Sequence, residues 1–211
     1  MPGLWAPAKT IAGATAGGFT SRAIFRADGI QAETIFWETQ SDLDVTATPP
    51  TLFTLHQQQE VVTAGEHNLG RFRLSYTIDS RADFADGLAR SGDVSAHWVV
   101  ITPPSASGSH GATFTTLGDS SVRVSGRNCC HPVYSVAAAL TASHITGFRL
   151  EVMKDASLPW GGPGREASAG NFHLSGFVVS SVPEPASGAY LAIGLAALLG
   201  IERARRRRMP T

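Results

Sequence analysis

Gly147-Phe148-Arg149-Leu150-Glu151-Val152-Met153 decides the fold of this chain. Apolar and charged residues alternate through it. Phe148, Leu150 and Val152 therefore share one side of an extended chain, and Arg149 and Glu151 share the other. A period of two with one greasy side is the mark of a half-buried strand in an antiparallel sheet. Arg71-Phe72-Arg73-Leu74-Ser75-Tyr76 repeats the pattern, with Phe72, Leu74 and Tyr76 inward. Phe72-Arg73-Leu74 and Phe148-Arg149-Leu150 echo each other 76 residues apart. The tripeptide is too short to establish a duplication, and we read it as two core strands of similar role.

Outward from these anchors, further strands are expected near 34–38, 52–57, 96–101, 112–116, 121–125, 133–138 and 171–180, with Trp98 in the core. Pro103-Pro104, Gly118-Asp119-Ser120 and Gly126-Arg127-Asn128 punctuate turns between them. Val136 to Ser143 is Ala-rich and tempts a helix, but it is short and flanked by strand patterns. It reads as a strand running into a loop. A chain with 22 Gly, 12 Pro and 16% charged residues suits many short strands joined by turns. The expectation is an all-β, antiparallel β-sandwich over 32–181, preceded by an irregular segment at 1–31.

The last thirty residues follow different rules. Val182-Pro183-Glu184-Pro185 leads into the uncharged run Ala186 to Ile201, which holds four Leu, two Ile, five Ala and three Gly. Arg203, Arg205, Arg206, Arg207 and Arg208 close it. In lipid a single spanning segment must be helical, because no other conformation satisfies its own backbone groups. Sixteen residues at ~1.5 Å each reach roughly 24 Å, short of a ~30 Å hydrocarbon core. Local thinning or snorkelling arginines would cover the mismatch. The basic block acts as a membrane stop and sets the C-terminus on the cytoplasmic side. A single C-terminal transmembrane helix at 186–201 is therefore expected, with the sandwich outside the cytoplasm.

Pro-Glu-Pro, a short apolar helix and a terminal Arg cluster together resemble the PEP-CTERM sorting signal of exported bacterial proteins, over residues 182–208. The resemblance implies recognition by an exosortase-type processing enzyme and cleavage near Pro183-Glu184-Pro185. Release or transfer to the cell surface would follow. Such proteins usually come from bacteria that make exopolysaccharide. In this scheme the chain is a substrate, so its tail carries no catalytic residue. An exported chain should also start with a basic, then apolar, leader. Lys9 followed by Ile11 to Gly18 is too weakly apolar to be one, so a leader is expected upstream of Met1.

Charge narrows the partners. Five of the 17 Lys and Arg lie at 203–208, while 16 of the 17 acidic residues precede Glu202. The part before the apolar run is acidic by four, which argues against nucleic acid, a partner that wants a basic face. Cys129 and Cys130 are adjacent and cannot join distant strands. A loop without special chemistry leads. A vicinal disulfide, or a metal nest with His131, stays open.

Ile145 to Arg165, continued by Gly170-Asn171-Phe172-His173-Leu174-Ser175, resembles the strand–loop–strand signature of discoidin-like, galactose-binding-type jelly-roll modules. His67 to Ser75 is similar to a second signature strand, and Ser121 to Gly126, up to Tyr134, to a hairpin between them. The resemblance implies a jelly-roll sandwich. It departs at Ala156, Trp160 and Ala169, where such modules usually carry Pro, Gly and Asn. These departures put any ligand role of the loop in doubt.

Asp155, Trp160, Arg165 and Asn171 form the candidate ligand loop. A sugar needs an aromatic plane for its apolar face and polar groups for its hydroxyls. The competing reading makes Asp155 and Asn171 turn caps and Trp160 a cover on the core edge. Asp155 alone is a thin site for Ca²⁺, which wants 6–8 oxygens. The histidines show no His-x-x-x-His pairing, and no Gly-x-Ser-x-Gly occurs. No catalytic residue, metal or cofactor is expected. The sequence thus points to an exported, non-enzymatic surface or matrix protein. Its expected partners are the processing enzyme and membrane lipid. The alternative is a module that binds polysaccharide at the cell surface.

Overall fold

The computed structural model describes residues 14–15, 18–21, 25–27, 31–57, 67–80 and 97–181. For the strands within 14–27, and for Gln40 and Ser181, only the backbone is described. The chain divides into two units, Met1–Ser181 and Val182–Thr211. The sorting motif, the apolar run and the arginine stop all fall in the second, outside the described residues. Among the described residues no helix is long and apolar enough to cross a membrane.

The first unit is all-β among those residues, and its strand pairings are antiparallel throughout. One sheet runs β1 (Ala14–Thr15), β2 (Gly18–Ser21), β14 (Gly176–Ser181), β5 (Thr51–His56), β11 (Val133–Ala138) and β8 (Ser105–Gly108). The other runs β4 (Glu33–Val45), β12 (Ala142–Val152), β6 (Arg71–Thr77), β10 (Val122–Gly126) and β9 (Ala112–Thr116), with β7 (Val99–Val100) also on β6. A two-stranded ribbon joins β13 (Phe172–Leu174) to β3 (Phe25–Ala27). Residues 14–27, expected to be irregular, thus supply strands that pair with β14 and β13.

Burial alternation places the core between the two sheets. Phe53 and Leu55 on β5, Tyr134 and Val136 on β11, and Phe177 and Val179 on β14 are buried. They meet Ile35 and Trp37 on β4, Phe72 and Leu74 on β6, Val122 and Val124 on β10, and Phe148, Leu150 and Val152 on β12. Ring pairs cross the interface. Trp37 stacks on Phe177 at 4.3 Å, Phe53 meets Phe148 edge-on at 5.8 Å, and Phe114 meets Tyr134 edge-on at 5.0 Å. Each fully buried aliphatic or aromatic side chain stabilises by about 1.5–3 kcal/mol, so this cluster is what holds the sheets face to face. The expected sandwich is present.

The two echoing tripeptides are neighbours in space. β12 lies between β4 and β6, with Leu150 opposite Leu74, Glu151 opposite Arg73 and Val152 opposite Phe72. Their outward residues form a charge ladder. Arg73 grips Glu151 through Nε at 2.8 Å and Nη2 at 3.0 Å, and Arg149 reaches the same carboxylate at 3.2 Å.

Four expectations need correction. Trp98 is not in the core. It sits half-buried against Phe36, at 5.5 Å, on the outward side, where the Arg149 guanidinium lies 5.2 Å from its ring. A cation over an aromatic face is an alternative home for an amphipathic ring. The strand expected at 96–101 shrinks accordingly to Val99–Val100. The 171–180 strand is two, interrupted at Ser175, whose N–H donates to the His56 carbonyl at 2.8 Å. The hairpin expected from Ser121 to Tyr134 does not form, because β10 and β11 belong to opposite sheets and the 127–132 connection crosses between them.

Candidate functional site

Beyond Val152 the chain enters the loop that leads to β13. Asp155 opens it as a turn cap: its Oδ1 accepts from the Ser157 N–H at 2.9 Å and the Ser157 hydroxyl at 2.6 Å. Its Oδ2 lies 3.5 Å from Arg71. The Ser157 hydroxyl, followed by the Ser157 N–H and Arg71, holds the Asp155 carboxyl below its ordinary value despite burial. One 3₁₀ turn follows at Pro159–Gly161.

Trp160 sits inside that turn at φ 54°, ψ 17°, in the left-handed region. Such a conformation costs a non-glycine residue about 1–3 kcal/mol. The ring is 69% exposed, and its Nε1 donates to the Ala167 carbonyl at 3.1 Å. The indole is therefore fixed in place and turned to solvent rather than folded over the core edge.

The return arm is tied down by backbone bonds. Gly164 donates to Gly170 at 2.8 Å and pairs with Leu69 in a lone bridge. A Cβ at Gly164 would collide with the Asn171 backbone carbonyl, so only glycine permits this approach. Asn171 contributes that backbone, while its Oδ1 is buried without a hydrogen bond. Its side chain therefore does not cap a turn. Glu166 is buried, which alone would raise its pKa. Hydrogen bonds from Ser168 and from the Ala169 N–H outweigh burial and hold the carboxyl below its ordinary value.

Arg165 is only 8% exposed. Its Nη2 donates to the Gly126 carbonyl at 2.6 Å and its Nη1 to the Arg127 carbonyl at 3.2 Å. Asn128 bridges the same region, accepting from Asn68 Nδ2 at 2.8 Å and donating to the Arg165 carbonyl at 2.8 Å. The loop, the 126–132 connection and the entry to β6 are thereby locked together. Cys129 and Cys130 in that connection are joined as a vicinal disulfide, their Cα atoms 3.7 Å apart, and Cys130 takes φ 59°. This resolves the pair against the plain loop that led the sequence reading.

Between β10 and the 157–159 turn lies an open cleft of ≈ 410 Å³, lined by Arg123, Val124, Ser125, Gly126, Asn128, Ser157, Leu158, Pro159 and Arg165. Of the four loop residues singled out in the sequence, Arg165 lines this cleft. Asp155 stands one step behind it, fixing Ser157. Trp160 follows Pro159 in sequence but does not line the cleft, and neither does Asn171. Sequence reasoning missed Arg123, Ser125 and Asn128, which arrive from a strand and connection remote in the chain. Among the described residues no group of three His, Cys, Asp or Glu can hold a metal ion.

No family model matches this chain, and no curated protein or solved structure shows significant similarity to it.

Proposed function

We propose that this chain is an exported, non-enzymatic module of the cell surface or extracellular matrix, sorted and processed through residues 182–208, and that its sandwich binds polysaccharide there. The displayed indole of Trp160 carries the reading. A ring this exposed, pinned through Nε1 and held at a strained φ, is not explained by packing. Strain of this kind persists where the surroundings impose it, and it clusters at ligand sites. An aromatic plane matches the apolar face of a sugar ring. The Cys129–Cys130 disulfide supports an oxidising destination outside the cytoplasm. The tail keeps the chemistry of a PEP-CTERM signal: a rigid Pro-Glu-Pro, an uncharged run and an arginine stop.

The test is affinity electrophoresis of the full chain in mild detergent, through gels cast with neutral and acidic polysaccharides. The wild type should be retarded by at least one polymer, and Trp160→Ala should run as in an empty gel. Equal mobility in every gel would leave the sandwich a purely structural body. Co-expression with an exosortase-type enzyme should shorten the chain near Pro185, read by intact-mass spectrometry, and Glu184→Ala should block the cut.

A further inference from the structure

We infer that the cleft between β10 and the 157–159 turn seats a carboxylate-bearing sugar, a uronic acid unit of the polysaccharide, with Arg123 as its ion-pairing group. The inference rests on the polysaccharide reading above and names the chemistry that the same region would select.

The argument begins with register. Arg123 on β10 lies directly opposite Arg71 on β6. Like charges facing each other across a sheet repel. Arg71 is relieved by Asp119 at 2.6 Å, by Asp155 at 3.5 Å and by the Ser121 hydroxyl at 2.9 Å. Arg123 has no hydrogen bond or ion pair among the described residues. Asp155 feels its charge, but both Asp155 oxygens are already engaged, Oδ1 by Ser157 and Oδ2 by Arg71.

A second cation lines the same cleft. Arg165 is more than nine-tenths buried, and its guanidinium has two backbone carbonyls as hydrogen-bond partners but no carboxylate. A buried charge without a counterion is expensive. Arg123, half-buried, and Arg165, buried, share one concavity and concentrate positive potential there. The part of the chain before the apolar run is acidic by four, so this is a local feature and not the tone of the whole surface.

The remaining walls suit a sugar better than a bare anion. The Ser125 and Ser157 hydroxyls, each bonded to one neighbour, keep lone pairs that can accept from sugar hydroxyls, while Leu158 and Pro159 offer an apolar wall. The cleft lies within the ~300–1,000 Å³ range of small-molecule sites. A guanidinium forks onto a carboxylate through two parallel bonds, which an ammonium cannot copy.

Calorimetric titration of the full chain in detergent tests this, with tetramers of galacturonate and of mannuronate as probes. Their methyl esters serve as neutral controls. At least one acid should bind ten-fold or more tighter than its ester, and more weakly as salt rises. Arg123→Gln should erase that preference, bringing acid and ester to about the same affinity. Arg123→Lys should restore part of the salt-dependent gain only. Arg123 is half-buried, and an unshifted urea midpoint confirms that the variants fold. Ester bound as tightly as acid, or acid preference intact in Arg123→Gln, overturns the acidic site and leaves the polysaccharide reading standing. Monomeric galacturonate held through Arg123, with no tetramer or polymer retained, keeps the acid site and sinks the polysaccharide reading. No binding of any probe overturns both.

Discussion

Asn128→Ala is the sharpest test of how the cleft is held in shape. The Asn128 amide joins three stretches that are far apart in sequence. Its Oδ1 accepts from Asn68 Nδ2 and its Nδ2 donates to the Arg165 carbonyl, both at 2.8 Å. The Arg165 N–H in turn donates to the Asn68 carbonyl at 2.9 Å, which closes the circuit. Each hydrogen bond contributes about 0.5–1.5 kcal/mol net. Asn68 is fully buried, so truncation also strands its amide, at about 1–3 kcal/mol. Asn128 itself is half-buried, and water entering the gap recovers part of that. The expected loss is therefore about 2–3 kcal/mol, read as a lower urea midpoint by tryptophan fluorescence. Asn68→Ala on the Asn128→Ala background should cost less than it does alone, because the stranded amide is gone. A coupling of about 1 kcal/mol is expected. A change below about 0.5 kcal/mol in Asn128→Ala, or strict additivity in the pair, would refute the idea that this amide ties the cleft walls together.

Phe177→Ala should cost about 3–5 kcal/mol in the same assay, since the fully buried ring contacts Trp37 and Phe148 across the sandwich and Phe53 on the neighbouring strand of its own sheet; a loss under 1 kcal/mol would mean the sheets are not packed through it. Trp160→Gly should leave stability unchanged or raise it by up to about 1 kcal/mol while removing polysaccharide retention, because glycine accepts φ 54° without strain; marked destabilisation would make the indole a packing residue. The Asp119 carboxyl, held at about 2 chiefly by the Ser121 hydroxyl and then by Arg71, contributes stability that is complete above its ordinary 3.8 and lost as pH falls through 2. Carboxyl NMR titration should show that low midpoint, and Ser121→Ala should raise it more than Arg71→Ala; a wild-type midpoint above 3.5 contradicts the geometry.

Strands that carry the core were legible because burial imposes the period of two. β6, β9, β11 and the second half of β12 lie almost where alternation places them. β8 was not legible. Ser105-Ala106-Ser107-Gly108 brings little apolar surface of its own and becomes a strand by pairing with β11. Gly108 is needed there, since a Cβ would meet the Phe114 ring at 2.7 Å and Tyr134 at 3.1 Å. The early start of β12 at Ala142 was hidden for a similar reason. Its register against β4 shifts twice between Ala142 and Gly147, and the Thr39 hydroxyl donates to the Ile145 carbonyl where the pairing is irregular. Trp98 misled because size and greasiness say that a ring is covered, not which side of a sheet covers it. The loop's backbone work was partly foreseen at Asp155. Arg123 was beyond reach, because nothing local distinguishes it from Arg71 or Arg73. Only the register shows which arginine is left over.

That leftover charge bears on why the binding chemistry sits at the cleft and not on the broad face of the sheet. Of the arginines on β6, β10 and β12, Arg71 is taken by Asp119 and Asp155, and Arg73 and Arg149 by Glu151. A paired cation on a sheet face has little to offer a second anion without first losing the one it holds. Arg123 holds no hydrogen bond or ion pair among the described residues, and its one favourable neighbour, Asp155, already has both oxygens engaged by Ser157 and Arg71. The connection beside it is stiff for reasons independent of any ligand. Its backbone carbonyls at Gly126 and Arg127 hold Arg165, its Asn128 amide is bonded on both sides, and a disulfide joins its next two residues. Adjacent cysteines enclose almost no chain, so such a bond contributes little of the loop-closure stabilisation that a long-range disulfide brings. Its effect is confined to the local backbone, which here is one wall of the cleft. A wall ordered before binding spares the complex the entropy of ordering it afterwards. Stiffness at that wall, together with an unspent guanidinium beside it, is a combination that the paired face of the sheet does not provide.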